Sequence, residues 1–184
     1  GAGSSVLAGP DTNCLKIYGS LAFDPAMTQL FQGEVHFEDT LGGKTIFSAS
    51  KTFNNHVRFL GTNGAWKLLD EFYCEDSVFH ERGAVSTDGS NIICSRYSSA
   101  DTNHRSLWLH ADTVVLSGDG WAWELNGQNF NLHADSSVII TEADLTLFYN
   151  YNAERLVFNN VHQYGLMATI DNEAYCVYNL VTHH

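Results

Sequence analysis

From Asn91 onward the chain shows no helical periodicity, only short apolar runs punctuated by turn residues. The runs recur at about 8–12 residues, a cadence that confines the fold to strands laid side by side. Strands are expected over 91–97, 105–110, 113–117, 121–125, 128–133, 137–141, 145–151, 155–159, 164–170 and 174–181. Asp88-Gly89, Asp119-Gly120 and Asn126-Gly127 supply turn chemistry, the last two as two-residue hairpin turns. Only two prolines occur in 184 residues, which suits a chain made mostly of hydrogen-bonded ladder. Because no crossover helices separate these strands, the expected pairing is antiparallel, as a meander, sandwich or barrel.

Asn63 to His80 breaks the pattern. Ala65, Trp66, Leu68, Leu69, Phe72 and Tyr73 fall at i, i+3, i+4, i+7 spacing, with Asn63 as a cap and Gly83 as a stop. The reading is one substantial α-helix near 64–80, gripped by sheet on more than one side. A shorter helix is expected near 25–32, where Asp24-Pro25 opens a turn and Met27, Leu30 and Phe31 follow at helical spacing. The fold class is therefore mostly β: an antiparallel twisted sheet packed around the longer helix, with a galectin-like β-sandwich as the alternative. On this view Leu69 and Phe72 face the sheet, and truncating either is damaging.

Ahead of that helix, Cys14 to Phe23 reads as a first strand and His56 to Leu60 as another. Between them Gly33–Asp39 and Lys44–Phe53 read as a hairpin turning at Leu41-Gly42-Gly43. Gly1–Ser4 reads as a cloning remnant, and 5–184 as a single β-rich domain, long enough to bury its own core. One weak repeat is present. Leu109-His110-Ala111-Asp112-Thr113 recurs further on as Leu132-His133-Ala134-Asp135-Ser136. Two copies are too few for a solenoid and read as two similar corners between strands.

Nine Lys plus Arg against 21 Asp plus Glu give a net charge of −12, which disfavours phosphate backbones and anionic headgroups. Neither a nucleic-acid partner nor membrane insertion is expected, and no run of about 18 apolar residues exists to span a bilayer. Cys14, Cys74, Cys94 and Cys176 lack metal-ribbon or redox spacing. They fit free buried thiols, or one or two disulfides.

His110-x-Asp112 and His133-x-Asp135, with His162 as a third ligand, match a 2-His-1-carboxylate site only in common residue types; turn chemistry explains them as well. Glu71 with Glu75, and Glu34 with Glu38, read as solvated acidic faces rather than glycosidase pairs. No hydrolase, phosphate-loop or zincin motif occurs, so no catalytic residue, metal or cofactor is assigned and no enzyme is expected.

The aromatics say more. Trp108, Trp121 and Trp123 lie close in sequence, and Trp121 and Trp123 share one side of a strand if alternation holds. Such a pair either packs a core or offers a stacking platform to a pyranose ring. Asn126, Gln128, Asn129, Asn131 and His133 follow at once and supply uncharged hydrogen-bonding groups. These eight residues are the candidate glycan site. The ligand is expected to be neutral, because the only Lys or Arg after Arg105 is Arg155.

The opening Ser5-Val6-Leu7-Ala8-Gly9-Pro10 is similar to the Leu-x-Gly-Pro start of rotavirus spike heads. The Tyr-Gln-Pro that follows in the familiar group is missing here, and no binding motif aligns. The resemblance implies a non-enzymatic cell-attachment domain on the outer surface of a virion, joined to the rest of a spike and binding a host-cell glycan. A protein-interaction or structural β-domain without a small ligand is the alternative reading, as is the carbohydrate-binding module of a secreted enzyme.

Overall fold

The computed structural model describes residues 5–143, 145–151, 156–164, 167–171 and 175–182. Gly1–Ser4, read above as a cloning remnant, and Arg155 lie outside the described residues. Among those described are strands and turns but no helix, and none of their strand pairings is antiparallel. Val6–Gly9 pairs with Thr28–Phe31 as a two-stranded sheet. A six-stranded sheet, here the small sheet, stacks Leu21–Ala22, Lys44–Phe47, Ala65–Leu68, Gly83–Ser86, Arg105–Trp108 and Phe130–His133 in chain order. The remaining strands form a twelve-stranded large sheet.

The chain alternates between the two. It runs along Phe72–His80 in the large sheet, Gly83–Ser86 in the small one, Ile92–Ser99 in the large, and Arg105–Trp108 in the small again. Each strand pairs with its equivalent one circuit later. Circuits vary in length, from the short one that sets Ala84 beside Ala65 to the long one that sets Trp123 beside Tyr97. Phe72–His80 and Ile92–Ser99 stay paired on both sides of a register shift between Cys94 and Arg96, so the large sheet covers two sides of the coil. The molecule is a parallel β-solenoid.

This overturns the antiparallel sheet, and the galectin-like sandwich with it. Parallel partners need a crossover of a dozen or more residues, usually a helix. Here the crossover is the rest of the coil, itself made of strands. Gly33–Asp39 and Lys44–Phe53 are accordingly no hairpin: Glu34–Phe37 belongs to the large sheet and Lys44–Phe47 to the small one.

Both helices are corrected too. The 64–80 segment is two strands, Ala65–Leu68 and Phe72–His80, joined by a corner. Trp66 and Leu68 point inward on the first, and Phe72 and Cys74 on the second. Two period-two strands interrupted by a corner superpose into helical spacing. In the 25–32 segment, the Met27 amide donates to the Asp24 carbonyl (2.9 Å) and the Ala26 amide to Asp24 Oδ1 (2.8 Å). That turn leads into the strand Thr28–Phe31.

Inward side chains stack coil upon coil. Phe37 lies 5.2 Å from Phe59, Phe53 4.9 Å from Phe72, and Tyr97 5.1 Å from Trp123 between ring centroids. Each buried ring contributes about 1.5–3 kcal/mol by leaving water, and stacked pairs add about 0.5–1.5 kcal/mol. At the corners, polar side chains join successive coils. Asp70 accepts from the Ser48 amide (2.8 Å), the Ser50 amide (2.8 Å) and the Ser48 hydroxyl (3.0 Å). Asp112 accepts from the Gly89 amide (2.8 Å).

The repeat at 109–113 and 132–136 marks the solenoid, slightly out of register. Trp108 pairs with His133, so Leu109 stacks on Ala134 and His110 on Asp135. His110 (φ 49°) and Asp135 (φ 28°) occupy equivalent left-handed corner positions, as does Asp88 (φ 42°) in the preceding coil. The Asp112 amide closes the first corner onto Leu109 (2.9 Å), and the Ser137 amide closes the second onto Ala134 (2.7 Å).

Leu69 is a corner residue, 49% exposed, whereas Phe72 is 2% exposed in the ring stack. Phe72→Ala should cost about 3–5 kcal/mol in urea unfolding, and Leu69→Ala less than about 0.5 kcal/mol. Comparable losses at the two sites would contradict this corner.

Candidate functional site

The outer surface of the small sheet carries a broad concavity. Its outward residues are mostly small: Ala65, Ala84 and Ser106 lie side by side on successive coils, followed by Asn131. A groove of about 630 Å³ runs across these coils where each turns into the sheet, between Thr62-Asn63, Arg82-Gly83, Thr102-Asn103-His104 and Asn129. A second hollow, of about 310 Å³, shares Ala65 and Ala84 with it and continues to Lys67, Ser86, Trp108 and His110. Together they form one trough across at least four coils, whose strands lie about 4.8 Å apart.

Close packing of successive corners beneath the trough requires glycine. Gly83 sits at φ +80°, and a Cβ there would lie 2.6 Å from the Gly64 carbonyl oxygen. Neither hollow is lined by Asp or Glu.

Trp108 forms one wall. The His133 ring stacks on its indole at 3.5 Å and 8°. His133 belongs to the following coil, while the His110 ring, bonded to Ser86 of the preceding coil, lies 6.4 Å from the same indole at 29°; Trp108 and His110 line the hollow together with Ala84 and Ser86. With 39% of its surface exposed, Trp108 offers an apolar plate beside a polar corner.

Below the floor lie two buried polar groups. Arg105 donates to the carbonyls of Asn103 (2.8 Å), Asn126 (3.0 Å) and Gln128 (2.6 Å) and to the Ser99 hydroxyl (3.0 Å), which pins the corner backbone. His80 Nε2 donates to the Gly83 carbonyl (3.0 Å), so its Nδ1 accepts from the Tyr97 hydroxyl (2.8 Å). Burial holds the His80 imidazole neutral and lowers its pKa from 6.5 to about 4.

Half of the sequence-derived candidates meet at this surface. Trp108, Asn129, Asn131 and His133 line or brace the trough, and Gln128 is exposed at its corner. Trp121, 48% exposed, stands on a strand of the large sheet, away from Trp108. Trp123 is fully buried against Tyr97, and Asn126 is buried with its amide on the Ala100 carbonyl. The register shift between Gly120 and Trp123 breaks the alternation that placed both tryptophans on one side.

Thr62, Asn63, Arg82, Thr102, Asn103, His104 and Ser106 escaped the sequence reading. Their signal was Gly64-Ala65-Trp66 recurring as Gly83-Ala84-Val85, with Thr62-Asn63 recurring as Thr102-Asn103.

His110 and Asp112 serve the corner rather than a metal, His110 meeting Ser86 Oγ at 3.2 Å. Among the described residues no cluster of three His, Cys, Asp or Glu could hold a metal ion. Glu34 is bound by His36 and Arg58, Glu38 by Lys16 and Tyr18, and Glu71 by Tyr73 and Asn91. Cys14 is exposed while Cys74 and Cys94 are buried, all three as free thiols, and burial pushes the Cys74 thiol up to about 12. No protein-family model, curated protein or solved structure matches the chain.

The lowered His80 pKa has a definite sign. Between pH 6.5 and 4 the unfolded chain takes up a proton that the folded chain refuses, so stability is full above that window and falls as pH drops through it. The loss should be on the order of 3 kcal/mol by pH 4. Urea titrations at several pH values should show this slope in the wild type and a flatter one in His80→Gln. Equal slopes would place the titration elsewhere.

Proposed function

We propose that the chain is a non-enzymatic binding module for an extended glycan, seated in the trough of the small sheet. One observation carries the reading: the part-exposed Trp108 indole stands beside a floor of Ala65, Ala84 and Ser106 and a row of Asn and Thr side chains. A pyranose needs both, an apolar plate for its C–H face and neutral groups for its hydroxyls. The coil spacing of about 4.8 Å is comparable to the length of one sugar unit, which suits a repeating chain. The absence of carboxylates from the lining of the trough agrees with binding rather than glycoside hydrolysis.

Attachment of a virion to its host came from the resemblance at Ser5–Pro10, and the galectin-like sandwich is not the fold found. The proposal therefore rests on the trough alone. An open site of this kind should bind single chains at about 0.1–1 mM. A glycan array followed by calorimetry tests it. Trp108→Ala should weaken binding at least about tenfold, Ser106→Tyr should abolish it by filling the floor, and Trp121→Ala should leave it unchanged. Full binding by a natively melting Trp108→Ala would refute the site, and an array without hits would favour the protein-interaction alternative.

A further inference from the structure

Resting on the trough as a glycan site, we infer that its ligand is acidic, a chain bearing carboxylate or sulfate groups, and that Arg82 reads the charge. The whole-chain charge of −12 is misleading at this surface. The trough is lined by Lys44, Lys67, Arg82, His104, Arg105 and His110 and by no acidic side chain, although the chain has 21 Asp plus Glu. The Lys and Arg among them lie at or before Arg105 in sequence and are wound by the solenoid beside Asn129 and Asn131. The expectation of a neutral ligand rested on the scarcity of Lys and Arg after Arg105, and coil stacking removes that premise.

Arg82 differs from the other Lys and Arg of the trough: it is exposed and its guanidinium meets no carboxylate among the described residues, whereas Arg105 is buried with its donors on backbone carbonyls and the Ser99 hydroxyl. Lys44 pairs with Asp39 and Lys67 with Asp88, just as Lys16 pairs with Glu38, Arg58 with Glu34 and Glu81, and Arg96 with Glu124 elsewhere. Lys51, remote from the trough, is held by the Pro25 carbonyl. Arg82 instead bonds the Thr62 hydroxyl (3.1 Å), and among the described residues it forms no ion pair with a carboxylate. Glu81 beside it in sequence and Asp101 one coil on are otherwise engaged. Glu81 turns to Arg58 (2.8 Å), and Asp101, on the next coil, accepts from the Thr102 and Asn103 amides (2.6 and 2.9 Å).

A guanidinium held at one edge by a hydroxyl keeps donors for an oxyanion, in the geometry that arginine offers carboxylates and sulfates. Exposed His104 stands on the next coil along the same groove. An acid group on the sugar chain would thus meet Arg82 while the ring packs toward Trp108.

The test compares oligosaccharides of one linkage and length in three forms: neutral, oxidised to the uronate at C6, and sulfated. Wild-type protein should bind at least one anionic form about tenfold more tightly than the neutral one, and the preference should shrink between about 0.05 and 0.3 M salt. Whichever anion is preferred identifies the source of the charge. Arg82→Gln should bring the anionic and neutral forms to equal affinity, while Trp108→Ala should weaken all three. Neutral and anionic chains binding equally to wild type would overturn this inference and leave the glycan site standing. A preference surviving intact in Arg82→Gln would also overturn it. Failure of all three to bind at tens of millimolar would remove the glycan site, and the inference with it.

Discussion

Parallel pairing of each strand with its equivalent one coil later is the constraint on which everything else depends. A parallel ladder forces equivalent residues into columns, since the register repeats without reversal: Tyr97 above Trp123, Cys74 above Cys94, Trp108 above His133. Columns that point inward must be apolar or internally bonded, because an unpaired polar group removed from water is costly. This is why Phe37 meets Phe59, and why the buried His80 and Arg105 are held by carbonyl and hydroxyl partners. Columns that point outward are free to vary, and the small sheet uses that freedom for a line of small residues.

The candidate site follows from the same stacking. No single coil contains it. Each contributes one to three corner residues and one floor residue, so Asn63, Arg82, Asn103 and Asn129 line one groove although they are scattered along the sequence. Backbone fixes their spacing, while side-chain identity sets what they bind. Arg105 takes part from beneath, tying the carbonyls of Asn103, Asn126 and Gln128 and so holding the rim in place.

Strand positions in the C-terminal half were legible because period two survives in short runs: 105–110, 113–117 and 145–151 correspond closely to Arg105–Trp108, Thr113–Leu116 and Leu145–Tyr151. Their direction was not, since period two is the same in parallel and antiparallel ladders. The decisive cue, a return of equivalent residues once per circuit, is blurred by corners of unequal length, and the repeat aligned Leu109 with Leu132 where the ladder aligns it with Ala134. Corner residues also created the false helix around Leu69. For the site, Asn129, Asn131 and Trp108 were readable as chemistry, but Arg82 and Asn63 were not, because only the winding brings them there. Trp123 was misplaced by a register shift that no residue pattern announces.

The short sequence offset between register partners also shapes how the chain folds. No strand partners in the described registers stand further apart along the chain than Tyr97 and Trp123, so each coil can close as soon as its own residues are in place. Loop-closure entropy for such a step is modest and nearly the same at every circuit. Stability then behaves as a sum over neighbouring coils rather than a property of the whole. A coil with neighbours on both sides gives up two interfaces on opening, where an edge coil gives up one. The strands bearing Ala65, Ala84 and Ser106 are each flanked on both sides, which places the floor of the trough in the stretch of the solenoid that opens least readily.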